Sequence, residues 1–264
     1  MNLNSSNKEN YNPLTKSRSR RTRSLTHKPE KPAPLSEHLM LLKSFDVSYN
    51  LDEAFTHHYI TERIRAKLVD WMIEVLHSFH SSSRTLFLAV KLLDIYIANS
   101  SGLVPLDLHV IGVASMFIAS KYEDIKQLTL KNAHENIAHG KISKESILAM
   151  EKDILNIVNY NVFIPTLYDY LEYFIQNSIE EIAKYSWFLA DLSLLKNDLS
   201  SASMPKLAEA IVLKARKDQL GIDETPTQGP VALYVQELDT QCELYRFEYQ
   251  NFTSILMKHS VFDN

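Results

Sequence analysis

The sequence predicts an all-α fold in which two tandem five-helix bundles follow a short N-terminal helix and a disordered basic tail. Only five glycines occur in 264 residues, which argues against a protein built on tight hairpins. Apolar residues recur at spacings of three and four along most of the chain after residue 36, as they do on helices that pack by one face. With 45% apolar residues, a chain of this length can bury one large core or two small ones.

The tail spans residues 1–35 and is rich in Ser, Asn, Lys, Arg and Pro. It has too few large apolar residues to offset the entropy of ordering, so we expect it to be disordered. Residues 1–36 carry a net charge of +6, and because the whole chain carries −4, residues 37–264 carry −10. An acidic body is a poor candidate for nucleic-acid binding, which depends on neutralising phosphates. We therefore expect no nucleic-acid partner.

The single cysteine, Cys242, has no other cysteine with which to form a disulfide or a zinc site. The sequence contains neither a secretory signal nor an apolar run of the roughly 18 residues that a membrane span needs. We expect a protein of the nucleus and cytoplasm that requires no metal or other cofactor and does not contact a membrane.

The helices of the first unit follow from apolar spacing and from candidate capping residues. Ser36 is a candidate N-cap for a short helix carrying Leu39, Met40, Leu42 and Phe45. The periodicity then predicts helices at Ile64–Phe79, ending in the serines at 81–83, at Arg84–Asn99, at Leu106–Tyr122, at Leu130–Ala138 and at Ser143–Val158.

The helix at Leu106–Tyr122 is predicted to be the centre of this unit. It has no charged residue between Val110 and Ala119, and a helix that is apolar on every side must be surrounded by protein. Its small residues, Gly112, Ala114, Ser115 and Ala119, would let neighbouring helices approach closely.

A second unit begins after Pro165 and weakly repeats the first. Residues 188–190 repeat the Phe-Leu-Ala of residues 87–89, and residues 207–217 align with residues 111–121. We therefore divide the chain into a tail at 1–35, a first unit at 36–162 and a second unit at 163–264. The predicted helices of the second unit are Pro165–Gln176, Glu180–Asn197, Pro205–Lys217, Val231–Leu238 and Gln241–His259, with a loop at 221–230.

Four segments resemble the cyclin box. IRAKLVDWMIEV at residues 64–75 resembles the usual MRAILVDWLVEV of its opening helix. LAVKLLDIY at 88–96, GVASMFIASKYED at 112–124 and the Met-Glu pair at 150–151 resemble its later helices with the expected spacing. The resemblance covers residues 38–262 and is closest to A/B-type mitotic cyclins. It implies a regulatory subunit without catalytic residues that binds and activates a cyclin-dependent protein kinase as a heterodimer.

The resemblance also assigns residues to the kinase contact. Lys121 and Glu151 match a pair that, in cyclins, hydrogen-bonds backbone groups beside the kinase's regulatory helix, and Ile118, Tyr122 and Leu155 match apolar contacts to that helix. By residue type alone, Lys121 is a lysine at a helix C-terminus, favoured by the macrodipole, and Glu151 a solvated carboxylate. Arg65 and Asp94 match an internal ion pair that ties the first two cyclin-box helices together.

Ile64, Leu68, Trp71 and Leu108 match the family's docking patch for short motifs in protein substrates, although Trp71 could equally be a core residue. The sequence departs from the family pattern at three places in this patch. Lys67 replaces Ile, Pro105 replaces Arg and His109 replaces Gln. Because Lys67 lies one helical turn from both Ile64 and Trp71, it puts a charge on the patch. We expect substrate docking to be weakened or altered.

The tail contains two further motifs. Lys8, Glu9 and Asn10 resemble the KEN degron, which implies recognition by the anaphase-promoting ubiquitin ligase. The basic run KSRSRRTR at residues 16–23 is either a nuclear import signal or a basic linker.

Three alternatives stay open at this point. A transcription-type cyclin shares the fold but would not be expected to carry a KEN motif. A basal transcription factor of the IIB type has two cyclin-like repeats but needs basic surfaces and usually a zinc ribbon, which the acidic body and lone cysteine disfavour. An enzyme is disfavoured because no Gly-rich phosphate loop occurs, and the adjacent His57 and His58 have no nucleophile or metal motif beside them. The sequence does not identify the kinase, the cell-cycle transition or the substrates.

Overall fold

The computed structural model describes residues 37–45, 47, 49–247 and 254–259. The regular secondary structure of these residues is helical and includes no strand, which confirms the predicted all-α fold. The candidate cap Ser36, the predicted disordered tail, its KEN motif and its basic run lie outside the described residues.

Side-chain caps fix where three helices of the first bundle begin. The hydroxyls of Thr61, Ser82 and Ser143 each accept a hydrogen bond from the backbone N–H three residues later, at 3.4, 3.1 and 3.1 Å. The helices of this part are α1 (Glu37–Ser44), α2 (Leu51–Phe55), α3 (Glu62–Ser78), α4 (Ser83–Ala98), α5 (Asp107–Glu123), a π-helical segment (Asn132–Ile137) and α6 (Lys144–Ile157).

Helix α5 lies at the centre of the first bundle and packs against α3, α4, α6 and the π-helical segment. Every residue from Ile111 to Ser120 is buried, as its uncharged sequence predicts. Gly112 permits the close approach of α3, because a Cβ atom at this position would lie 3.2 Å from Leu68 Cδ1.

The second bundle repeats this arrangement around α10. Its helices are α7 (Leu167–Ile175), α8 (Glu180–Ser193), the short α9 (Asn197–Ser200), α10 (Met204–Leu220), α11 (Pro230–Phe247) and α12 (Ser254–His259). Helix α10 packs against α7, α8 and α11, and it ends at Gly221, whose φ of +68° suits a left-handed C-cap. The helices thus form two bundles in tandem.

Four elements differ from the predictions. Helix α11 runs unbroken where two helices were expected, because residues 238–241 contain neither Gly nor Pro to interrupt it. The segment at Asn132–Ile137 is π-helical rather than α-helical, and Ala138 N bonds Ala133 O five residues back at 2.9 Å. The short helices α2 and α9 were not predicted, since helices of four or five residues leave little periodic signal.

Among the described residues, the most extensive contacts between the bundles are those of α4 with α7, α2 with α9, and α3 with α12. Arg84 of α4 bridges to α7, where it bonds Asp169 and Glu172 at 2.6 Å each and lies 4.5 Å from the ring centroid of Tyr168. The domain boundary at residues 162 and 163 stays a prediction. Within the described part of the chain, none of the helices has both the length and the apolar character for crossing a membrane.

Candidate functional site

The ion pair between Arg65 of α3 and Asp94 of α4 is completely buried, and both side chains are 0% exposed. Arg65 Nε donates to one carboxylate oxygen at 2.6 Å and a terminal nitrogen donates to the other at 2.7 Å. Burial opposes the charge on Arg65 and the Asp94 carboxylate favours it, and the resulting pKa lies above the ordinary arginine value. The Arg65 guanidinium therefore remains charged inside the protein.

The same arginine reaches the second bundle. Its other terminal nitrogen donates to the Leu194 carbonyl at 2.8 Å, and the Ser200 hydroxyl accepts from Arg65 at 3.0 Å while donating to Asp94 at 2.6 Å. The hydroxyl of Tyr49 lies 3.1 Å from the Ser200 carbonyl. The resemblance placed this pair only between two helices of the first bundle, whereas the structure connects it to both bundles and to the segment before α3.

Lys121 and Glu151 meet at the surface formed by the C-terminal end of α5 and the middle of α6. The Lys121 ammonium donates to a Glu151 carboxylate oxygen and also lies 4.0 Å from the ring centroid of Phe117. Their side chains are 36% and 13% exposed, so water or a partner protein can reach the pair. An ammonium has three donors and a carboxylate has two oxygens, which leaves both groups able to bond a partner.

Asp124 holds the end of α5 on which Lys121 lies. Its carboxylate accepts hydrogen bonds from the Ser82 backbone N–H at 2.9 Å, the Thr85 hydroxyl at 2.6 Å and the Ser120 hydroxyl at 3.0 Å. Burial raises the pKa of Asp124, but these hydrogen bonds outweigh burial and hold the pKa below its ordinary value. The charged carboxylate thus fixes α5 against the start of α4, a role that the sequence analysis did not identify.

The apolar residues assigned to the kinase contact differ in exposure. Tyr122 is 50% exposed, Leu155 is half-buried and Ile118 is only 3% exposed, inside the core. Leu148 lies one helical turn before Glu151 on α6 and is also exposed. Tyr122, Leu155 and Leu148 are therefore accessible on the surface around Lys121 and Glu151. Ile118 is buried in the core beneath this surface.

The four residues of the predicted docking patch line one open groove between α3 and the start of α5. Trp71 meets His109 edge to face, with ring centroids 5.0 Å apart. Leu108 is buried, while Ile64, Leu68 and Trp71 are half-buried. The three residues that depart from the family pattern, Lys67, Pro105 and His109, line the same groove.

A model of the cyclin N-terminal domain matches residues 39–163, which include Arg65, Asp94, Lys121, Glu151 and the groove. Residues 39–163 thus form a cyclin N-terminal domain. Among relatives of the chain, the G2/mitotic-specific cyclin-2 of Medicago sativa is 33% identical over 159 residues, which are 60% of this chain and 48% of that protein. Cyclin-B1-1 of Oryza sativa subsp. japonica is 33% identical over 164 residues, covering 60% of this chain and 36% of that protein. The matched region thus spans half or less of these mitotic relatives.

Among solved structures, a viral cyclin from herpesvirus saimiri superposes with a TM-score of 0.56. The match covers 80% of this chain and 96% of the viral chain at 17% identity, which supports the fold alone. Among the described residues, no group of three or more His, Cys, Asp or Glu side chains is placed to hold a metal ion.

Proposed function

We propose that this cyclin binds and activates a cyclin-dependent protein kinase, and that the Lys121 and Glu151 pair makes the central contact. The observation that carries the proposal is the position of this pair, which is accessible, lies beside exposed Tyr122 and half-buried Leu155, and rests on the buried helix α5. A charged pair that meets main-chain groups in a partly dry interface forms strong and directional hydrogen bonds. The name of the Medicago relative, a G2/mitotic-specific cyclin, supports a regulatory role in the cell cycle.

The proposed mechanism is a population shift in the kinase. Phosphoryl transfer requires the kinase's β3 lysine to pair with the glutamate of its helix C and its activation loop to be ordered. A rigid bundle that binds only this arrangement raises its population, and the cyclin itself performs no chemistry. The two bundles and their shared buried ion pair provide the required rigidity.

Reconstitution with a purified cyclin-dependent kinase tests this proposal. We expect the cyclin alone to have no kinase activity and to raise that of the kinase, and we expect replacement of Lys121 and Glu151 by alanine to abolish the increase. Lys184→Ala with Glu180→Ala is the matched control, because it removes a surface ion pair on α8 with a 2.7 Å contact. Full activation by the Lys121 and Glu151 variant would refute the contact.

The sequence of the tail supports a second proposal, that this protein is degraded once in each cell cycle. A KEN sequence at Lys8–Asn10 would recruit the anaphase-promoting ubiquitin ligase, and the basic run at 16–23 would direct the protein to the nucleus from the cytoplasm. In a synchronised culture, the variant with alanine at residues 8–10 should stay abundant through mitotic exit. The control variant with alanine at residues 26–28 should disappear like the unmodified protein. If the amount of the unmodified protein stays steady through mitosis, the result would instead favour a transcription-type cyclin.

A further inference from the structure

We propose that Thr225, in the loop between α10 and α11, is phosphorylated by proline-directed protein kinases, which modify a serine or threonine that Pro follows. The second substrate of the reaction is a nucleoside triphosphate. The loop belongs to the second bundle and contains none of the residues assigned to the kinase contact, so the inference does not depend on the proposed function.

The residue after Thr225 distinguishes this threonine in the sequence. Pro226 follows it directly, whereas each of the other eight prolines follows a residue without a hydroxyl. Proline lacks a backbone N–H and favours an extended conformation in the residue before it. A kinase site that offers this position no hydrogen-bond acceptor accepts Pro, whereas any other residue would bury an unpaired N–H there. Such a kinase can therefore distinguish Thr225 from every other serine and threonine of the chain.

The loop has the length and the exposure that a kinase substrate needs. Residues 221–229 join α10 to α11 without a helix, and all of them are exposed except the half-buried Thr225. The loop begins at Gly221 and ends at Gly229, whose φ angles of +68° and +98° are ones that glycine adopts readily. Because both helices lie outside these residues, the segment can extend into a kinase cleft while the helices stay folded.

The contacts that hold the loop on α10 are weak. Arg216 bonds Glu224 at 2.7 Å and Lys217 bonds Asp223 at 3.0 Å, while the Thr225 backbone N–H donates to Asp223 at 3.0 Å. The four charged side chains are between 39% and 51% exposed, so water competes for both ion pairs. The loop can therefore open locally without unfolding the bundle.

Opening precedes the reaction, because the Thr225 hydroxyl oxygen is buried while the loop lies on α10. In the reaction, this oxygen attacks the γ-phosphorus of ATP. The new O–P bond forms as the bond from the γ-phosphorus to the leaving ADP oxygen breaks, and the hydroxyl proton passes to the catalytic aspartate of the kinase. The products are phosphothreonine and ADP.

The added phosphate prevents the loop from closing again. Phosphothreonine carries a charge of about −1.5 to −2 at pH 7. In the closed loop this charge would be buried beside the Asp223 carboxylate, and the nearby cations Arg216 and Lys217 are already paired with Glu224 and Asp223. Phosphorylation should therefore keep the loop open.

Incubation of the full chain with ATP and a mitogen-activated protein kinase tests the inference, because this proline-directed kinase needs no cyclin. Mass spectrometry should find a single phosphate at Thr225 and none in Thr225→Ala, whereas Thr225→Ser should still accept it. Thr227→Ala is the matched control, since this exposed threonine of the same loop precedes Gln228, and the variant should react like the parent. Pro226→Ala should slow the reaction by about tenfold or more, because alanine adds an N–H that the kinase leaves unpaired.

An unmodified chain, a phosphate at another residue instead of Thr225, or equal rates for the parent and Pro226→Ala would overturn the inference. The opening step is tested by Arg216→Ala with Lys217→Ala, which should raise the rate about two- to tenfold because both ion pairs are lost. Glu180→Ala with Lys184→Ala, which removes an ion pair on α8, should not. After phosphorylation, the Thr225 amide should lose its protection from hydrogen exchange, and retained protection would contradict the open loop.

Discussion

Two ion pairs of this protein have nearly the same separation in sequence and very different surroundings. Arg65 and Asp94 are 29 residues apart and fully buried, whereas Lys121 and Glu151 are 30 residues apart and accessible. In the buried pair, Arg65 bonds both oxygens of Asp94, the Leu194 carbonyl and the Ser200 hydroxyl. In the accessible pair, the described contacts of the Lys121 ammonium are one carboxylate and one aromatic ring.

The difference shows that spacing and charge alone do not determine what an ion pair does. A buried pair with satisfied donors holds the two bundles in one arrangement, and removing one partner leaves the other charge desolvated and unpaired. An accessible pair contributes little to folding because water competes for both partners, so its groups can bond a second protein.

The largest effect that we expect on stability comes from the buried pair. Arg65→Ala should lower the free energy of unfolding by about 3–5 kcal/mol, because it leaves the Asp94 carboxylate without its ion partner and the Leu194 carbonyl without its described donor. Lys121→Ala should change it by less than about 1 kcal/mol. Urea denaturation of both variants measures the two values.

The comparison fails if both variants lose similar stability, or if Arg65→Ala loses less than about 1 kcal/mol. If Arg65→Ala does not fold, Arg65→Lys provides the measurement, since a lysine retains the charge but not the planar set of donors. It should still destabilise the protein more than Lys121→Ala does.

The sequence was sufficient to predict the helices with strong periodicity. The uncharged run at 110–119 predicted a central helix, and α5 is buried where this run lies. Lys121 and Glu151 were assigned by resemblance, because no local pattern indicates that two residues 30 positions apart will meet. The groove was assigned in the same way, and Lys67 was noticed only as a departure from the family pattern.

The connections between the bundles could not be predicted from sequence. The Leu194 partner of Arg65 is a backbone carbonyl, a group that every residue has, and Ser200 is one of many serines. The contact between Asp70 and Ser254 joins residues 184 positions apart and depends on how α12 returns to α3. Such contacts depend on how the helices pack in the folded protein. No recurring spacing in the sequence indicates them.

The Asp70 carboxylate has surroundings that are intermediate between those of the two ion pairs. One of its oxygens accepts from Ser254, while the other is buried without a hydrogen-bond partner among the described residues. Burial raises the pKa of Asp70 to about 6, and the nearby Glu74 adds to this effect. Unlike Asp94, this carboxylate has no arginine partner among the described residues.

The raised pKa predicts a smaller, pH-dependent effect. Between about pH 4 and pH 6 the folded state binds more protons at Asp70 than the unfolded state does, so this residue lowers stability as the pH rises through that window. Asp70→Asn removes the charge and keeps an oxygen for Ser254, and it should therefore stabilise the protein by about 1–2 kcal/mol at pH 7 but not at pH 4. Urea denaturation across this range measures the difference between parent and variant, with the exposed Asp153→Asn on α6 as the control. An equal difference at both pH values would mean that Asp70 acts through packing rather than through its charge.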